Sequence, residues 1–231
     1  MGTFLEHTLF AIAGGALPTL VWLLFWLRED RKHPEPIRLL FLTFAVGMLV
    51  VLPVLKLEAF VYQSVSGETL RILLWSTIEE LGKFIAVLSI VLWRKEIDEP
   101  IDYVVYMVTV ALGFAAVENT LFIFNPISQG LATTGIVTGN LRFIGATLLH
   151  IGASAAVGIC MALAFYKNRL RKYQYMAFGL ILAIALHIGF NLTILIGNGT
   201  HSVLASSLVW IAIIGILLLL EKVKKVHPIK N

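Results

Sequence analysis

LRILLWSTIEELGKFIAVLSIVLW, residues 70–93, decides how this chain is read. At about 1.5 Å of rise per residue, such a stretch is long enough to cross the roughly 30 Å hydrocarbon layer of a bilayer as a helix. Yet Glu79, Glu80 and Lys83 sit in its middle. A charged side chain at that depth costs about 2.5–3.5 kcal/mol on insertion scales. The stretch is therefore a membrane helix with a polar patch that other helices must satisfy.

The surrounding sequence supports that reading. Further apolar windows lie at 4–27, 37–55, 103–124, 143–166, 176–196 and 203–221. The chain is 58% hydrophobic and 14% charged, with a mean hydropathy of +0.88, whereas soluble domains carry about 25% charged residues. The expectation is an all-α fold: a polytopic membrane helix bundle of about seven transmembrane helices, forming one domain over residues 1–231. The first window has no basic segment before it, only Glu6 and His7, and no small-residue cleavage site. It reads as a retained helix containing Pro18, not a secretory signal.

Basic residues set the orientation. Alternate connections carry Arg28, Arg31, Lys32 and Arg38; Arg94 and Lys95; Lys167, Arg169, Arg171 and Lys172; and Lys222, Lys224, Lys225 and Lys230. The opposite set holds only Lys56, Arg71 and Arg142, so fourteen face three. The N-terminus is expected outside and the C-terminus in the cytoplasm. These juxtamembrane residues account for the net charge of +4, so the lipid bilayer is the implied partner and no nucleic acid is called for. Cys160 stands alone, which excludes an intramolecular disulfide and a thiolate metal cage.

Two outer segments stand out. Residues 56–69 mix apolar and polar side chains and are expected along the membrane interface. Residues 125–141, rich in Gly and Thr and uncharged, are expected as a flexible cover over a cavity. Asn198-Gly199-Thr200 is a glycosylation sequon where the source has that machinery.

The remaining strongly polar residues inside spans are Glu118, Asn119, His150, His187 and Asn191. Counted along their helices, they and Glu79 and Glu80 lie roughly 8–14 Å below the outer ends. Four helices of alternating direction thus bring them to one slab, and intramembrane ionisable groups are functional candidates by default. Glu79 and Lys83 are four apart and share a face, as are His187 and Asn191, and Phe114 and Glu118; Glu80 needs a partner elsewhere. The tetrapeptide LHIG occurs twice, within LLHIGAS at 148–154 and ALHIGFN at 185–191. Each copy sets an imidazole at this depth, followed by a glycine suited to close packing.

Carboxylates, imidazoles, a lysine and amides, with no evident serine or cysteine nucleophile, point to water activation. A glutamate in an apolar site can act as general base, and imidazole or amide donors can stabilise an oxyanion. Equally, His150, His187 and Glu118 have the composition of a catalytic zinc site, although no HExxH helix is present. Sequence alone leaves the metal-free and Zn²⁺ mechanisms both open. It also leaves a proton- or ion-coupled transporter, where Glu, His and Lys relay protons, and a non-catalytic membrane scaffold as rival readings.

Together Glu79-Glu80-Leu81-Gly82-Lys83 (EExxK), Gly113-Phe114 through Glu118-Asn119 (GFxxxEN), Arg142 with His150, and His187 through Asn191 (HxxxN) resemble the PrsW-type intramembrane proteases. That family is related to the CAAX prenyl endopeptidases and bacteriocin-processing membrane proteases. The likeness spans about 79–191, with catalytic core helices over about 70–196. It implies an endopeptidase of a prokaryotic plasma membrane, cleaving a membrane-anchored protein substrate, such as an anti-sigma factor, near the extracytoplasmic face. By that likeness Glu79, Glu80, His150 and His187 are the catalytic residues, supported by Lys83, Glu118, Asn119, Arg142 and Asn191. The family is classed with metalloproteases, while its relatives are also argued to be metal-free glutamate proteases.

Overall fold

Inside a bilayer every backbone amide must be satisfied within the chain, which leaves helices as the spanning element of such a sequence. The computed structural model describes residues 2–28, 34–197 and 201–227, and among them only helices and their connections occur. In order these are α1 (Gly2–Leu27), α2 (Ile37–Ser64), α3 (Glu68–Ile90), α4 (Asp102–Ser128), α5 (Ala132–Leu141), a π turn (Arg142–Ala146), α6 (Thr147–Leu163), α7 (Arg169–Ile196) and α8 (Ser202–Val223). Because α5, the π turn and α6 run on as one stretch, Ala132–Leu163, the described residues form seven rods. Six are long and apolar enough to cross a membrane; α3 is the exception. Its length suffices, but Glu79, Glu80 and Lys83 interrupt its apolar run. The sequon at 198–200 and the basic residues Arg31, Lys32 and Lys230 lie outside the described residues.

The core is built on α4 and α6. Residues 147–162 of α6 are buried all round, as are 104–116 of α4, the signature of a helix with no solvent or lipid face. The other rods pack around this pair: α1 and α2 on α4, α7 and α8 on α6, and α3 between α2 and α7. These outer rods turn large apolar side chains outward, among them Phe41 and Leu49 on α2, Ile181 on α7, and Ile211 and Leu218 on α8, as a lipid-facing surface requires. Small residues set the closest crossings. A Cβ on Gly113 would stand 2.1 Å from the Phe44 carbonyl oxygen, and one on Gly158 2.6 Å from Val104 Cα. At the opposite end from the polar slab, Tyr106 donates to Glu35 and ties the segment before α2 to α4.

Two expectations are corrected. Residues 56–64 do not lie along an interface but continue α2 through Pro53 to Ser64. The chain then reverses in a three-residue turn at Val65–Gly67, where Gly67 takes φ 104°, a conformation only glycine adopts freely. Residues 125–141 are not an irregular cover: α4 runs to Ser128 and α5 fills Ala132–Leu141. The fold overrides the Gly and Thr content because α5 packs on α4, with Gly135 set against Ile127. Pro18 lies within α1 without ending it.

Candidate active site

A buried charge needs a partner, and the polar slab consists of such partnerships. On α3, Lys83 is fully buried and donates to Glu80 Oε1 (2.5 Å) and to His150 Nδ1 on α6 (3.0 Å). An ammonium can only donate, so Nδ1 accepts and the ring proton of His150 sits on Nε2. Nε2 in turn donates to Glu118 Oε2 on α4 (2.7 Å). Glu80 Oε1 also receives His187 Nδ1 from α7 (2.7 Å), which leaves the lone pair of His187 Nε2 free. The expected pairing of Lys83 with Glu79 is therefore replaced. Positions three and four apart share a face, and Lys83 takes Glu80, which His187 already orients.

Glu79 is the carboxylate left over. Its Oε2 is buried, has no hydrogen-bond partner, and stands 3.8 Å from His187 Nε2. Such orphaned buried acceptors are rare in native structures and call for an explanation.

Across the cavity, Arg142 holds the other acidic group. It begins the π turn, a helix irregularity often associated with functional sites. Its Nη2 donates to Glu118 Oε2 and its Nε to Asn119 Oδ1, both at 2.6 Å, while the guanidinium stacks 4.0 Å above the Phe122 ring. Asn119 Nδ2 donates to Thr147 Oγ1 (2.9 Å), and Asn191 Nδ2 to Ser76 Oγ on α3 (3.2 Å). Phe114 packs against both His150 and Lys83. All nine residues singled out in the sequence thus belong to this network or its walls.

The network faces a cavity of about 710 Å³ lined by Glu79, Glu118, Arg142, His150, His187 and Asn191 among others. Its lining includes Glu58 and Glu68, near the end of α2 and the start of α3, and Leu195 and Ser202, near the end of α7 and the start of α8. Sequence reasoning missed Glu58, on the extension of α2, whose carboxyl lies beside that of Glu79. The one available signal was its depth on a stretch taken to be interfacial.

The same atoms include candidate metal ligands. Glu79, His150 and His187 each offer one donor atom within 4.8 Å of the others. The expected set had Glu118 in place of Glu79; here Arg142 and His150 bond to Glu118. Two imidazoles and a carboxylate match catalytic zinc. His187 also has its other nitrogen on a carboxylate, the usual support for a ligating imidazole. The donor set fits a metal, with the condition that His150 must give up either Lys83 or Glu118 to serve as a ligand.

Comparison with known proteins agrees. The family profile described as PrsW family intramembrane metalloprotease matches residues 35–219. Proteins named Protease PrsW from Geobacillus kaustophilus, Shouchella clausii and Bacillus subtilis are 27%, 30% and 24% identical to the chain. The alignments cover 76%, 79% and 78% of this chain and 76%, 80% and 80% of those relatives. No solved structure gives a significant match.

Proposed function

The chain belongs to the PrsW family of intramembrane metalloproteases, and from that premise we propose that it is an endopeptidase acting on membrane-anchored proteins through water activated by Glu79. The observation that carries the proposal is Glu79 Oε2: a buried carboxylate oxygen without a partner, opposite a free imidazole nitrogen, in a cavity within the helix bundle. A carboxylate held away from bulk water can take a proton from an attacking water, a step worth about 10²–10⁴-fold in rate. Glu80 does not compete for that water, because Lys83 and His187 bond to it; its role is to fix the tautomer of His187. In this scheme Arg142 and Asn191, which line the cavity and carry further N–H groups, face the developing oxyanion. Where a zinc ion is bound, Glu79, His150 and His187 would hold it, and it would supply Lewis-acid polarisation and a more acidic water.

In this reading seven rods span the membrane, with the N-terminus outside and the C-terminus in the cytoplasm, and the cavity lies toward the extracytoplasmic side. That end carries only Lys56, Arg71 and Arg142 of the basic residues near the helix ends. The scissile bond then lies close to the outer surface of a plasma membrane, where the anchor of a single-span protein, such as an anti-sigma factor, leaves the bilayer.

Purified protein in proteoliposomes is expected to cut a single-span substrate, and Glu79→Gln to reduce kcat at least a hundredfold while leaving the fold intact. Cutting at the wild-type rate by Glu79→Gln would sink the proposal.

A further inference from the structure

At the end of the bundle away from the catalytic cavity, two cations on α7 stand together without an acidic partner. Arg169, Lys172, Tyr173 and Met176 fall at i, i+3, i+4 and i+7, so they lie along one stripe of that helix. Arg169 Nε donates to the Tyr173 hydroxyl (3.0 Å), and the guanidinium stands 5.6 Å from that ring. The Lys172 ammonium is 5.5 Å from the Phe165 ring. Neither cation forms an ion pair with an acidic side chain among the described residues. Asp102, the buried acid of this end, accepts instead from the backbone N–H groups of Asp98 and Glu99. A guanidinium carries five N–H donors and an ammonium three, and of these only Arg169 Nε is used within the described residues.

The stripe is one wall of a pocket of about 240 Å³ between α3, α6 and α7. Leu88 of α3, Leu92 just beyond it and Met161 of α6 supply apolar walls, and no acidic residue lines the pocket. Trp93 and Tyr173, both exposed, belong to the same lining; such amphipathic rings favour the level of the lipid headgroups. Unmet cations, interfacial rings and an apolar wall thus meet at one place. A phospholipid has the matching parts: a phosphate, a glycerol level and a hydrocarbon chain. A soluble anion or an acidic peptide would use the cations and leave the apolar walls unfilled. A neutral lipid would cover those walls and leave both charges without a counterion.

We propose that this pocket binds an anionic phospholipid, its phosphate held by Arg169 and Lys172 and an acyl chain laid against Leu88, Leu92 and Met161. In the orientation proposed for the chain this end faces the cytoplasm, the side on which basic pockets between membrane helices take anionic headgroups. The site is separate from the reaction: α3 and α7 also carry Glu80 and His187, but at the other end of the bundle.

The test is lipid binding to the full-length protein in neutral micelles. The probe is phosphatidylglycerol brominated in its acyl chains, which quenches nearby tryptophan, compared with phosphatidylcholine bearing the same chains. Phosphatidylglycerol is expected to bind at least tenfold more tightly, and Trp93→Phe to remove the greater part of the saturable quenching. Arg169→Gln/Lys172→Gln should weaken binding about thirtyfold, the worth of two basic groups at an anionic surface. Lys222→Gln/Lys225→Gln, the same change of charge at the end of α8 and outside the pocket, should weaken it by less than threefold. Equal binding of the two lipids, equal effects of the two double substitutions, or full quenching retained in Trp93→Phe would each overturn the proposal. Displacement of the lipid by inorganic phosphate or by a polyglutamate peptide at the same concentration would overturn it as well, by making the cations a site for a soluble anion.

Discussion

Replacing Lys83 with methionine isolates the electrostatic centre of the site. The Lys83 side chain is 0% exposed and Glu80 1%, so Lys83→Met leaves a buried carboxylate with only His187 as partner. Removing one member of a buried ion pair costs about 3–5 kcal/mol, because the survivor is left uncompensated. At about 1.4 kcal/mol per decade that shifts the folding equilibrium by roughly two to three and a half powers of ten. Loss of the Lys83 contact with His150 Nδ1 (3.0 Å) adds to the cost. Removing both charges together, in Lys83→Met/Glu80→Gln, leaves no buried charge to strand. The double variant should therefore cost less than the sum of the single variants by about 2–3 kcal/mol, near the top of the coupling range for residues in contact. Equilibrium unfolding in mixed micelles, run on all four proteins, measures this. A Lys83→Met loss under about 1 kcal/mol, or single effects that add within about 0.5 kcal/mol, would refute the reasoning.

Other outcomes follow from individual contacts. Arg142→Leu frees Glu118 and Asn119 at once, and kcat/KM should fall about 10–100-fold, as for groups that orient catalytic ligands. Arg142→Lys should restore little of this, since a single ammonium cannot reproduce the two-pronged contact. Gly113→Ala drives a Cβ to 2.1 Å from the Phe44 carbonyl; it should cost about 1–3 kcal/mol or more by forcing α2 from α4, while Gly189→Ala should be neutral or better in the same unfolding assay. Zinc added to the apo wild type is expected to bind at no more than about one per chain, the stoichiometry of a single site, as read by elemental analysis after dialysis. His150→Ala/His187→Ala should then carry essentially none.

Much of this architecture was readable from the chain, for reasons that vary by residue. The rods follow from apolar runs, and in a bilayer a run of that length has one conformation available. Depth was readable for the same reason: a constant rise per residue converts position into height, and it brought Glu79, Glu118, His150 and His187 to one level. Rotation about each helix axis was not. Glu79 and Glu80 both lie within reach of Lys83 along α3, and the choice between them depends on His187, more than a hundred positions later. Likewise the contact between Arg142 and Glu118 joins residues 24 positions apart and depends on how α4 and the π turn face each other. Glu58 escaped because α2 was expected to end at 55, whereas packing carries it nine residues further. The Gly- and Thr-rich 125–141 stretch misled because composition reports local preference, and here packing of α5 on α4 overrides it.

The charge arrangement says which carboxylate the chemistry would use. Within the network, Lys83 bonds to Glu80 and Arg142 to Glu118. No lysine or arginine bonds to Glu79, and the neighbouring Glu58 adds a second carboxyl beside it. Two carboxyls facing each other in a low-dielectric interior hold one proton between them in preference to two charges, so the pair offers one carboxylate as base. Under the protease reading, that carboxylate takes the proton of the attacking water. A divalent ion at Glu79, His150 and His187 would compensate its charge at the same place. Lys83 occupies the His150 nitrogen that such an ion would otherwise be free to use, so the ammonium and a metal are alternatives at that nitrogen, and Lys83→Met should tighten zinc binding even as it weakens the fold. Unchanged or weaker zinc affinity in folded Lys83→Met protein would show that the metal, where bound, does not approach through that nitrogen.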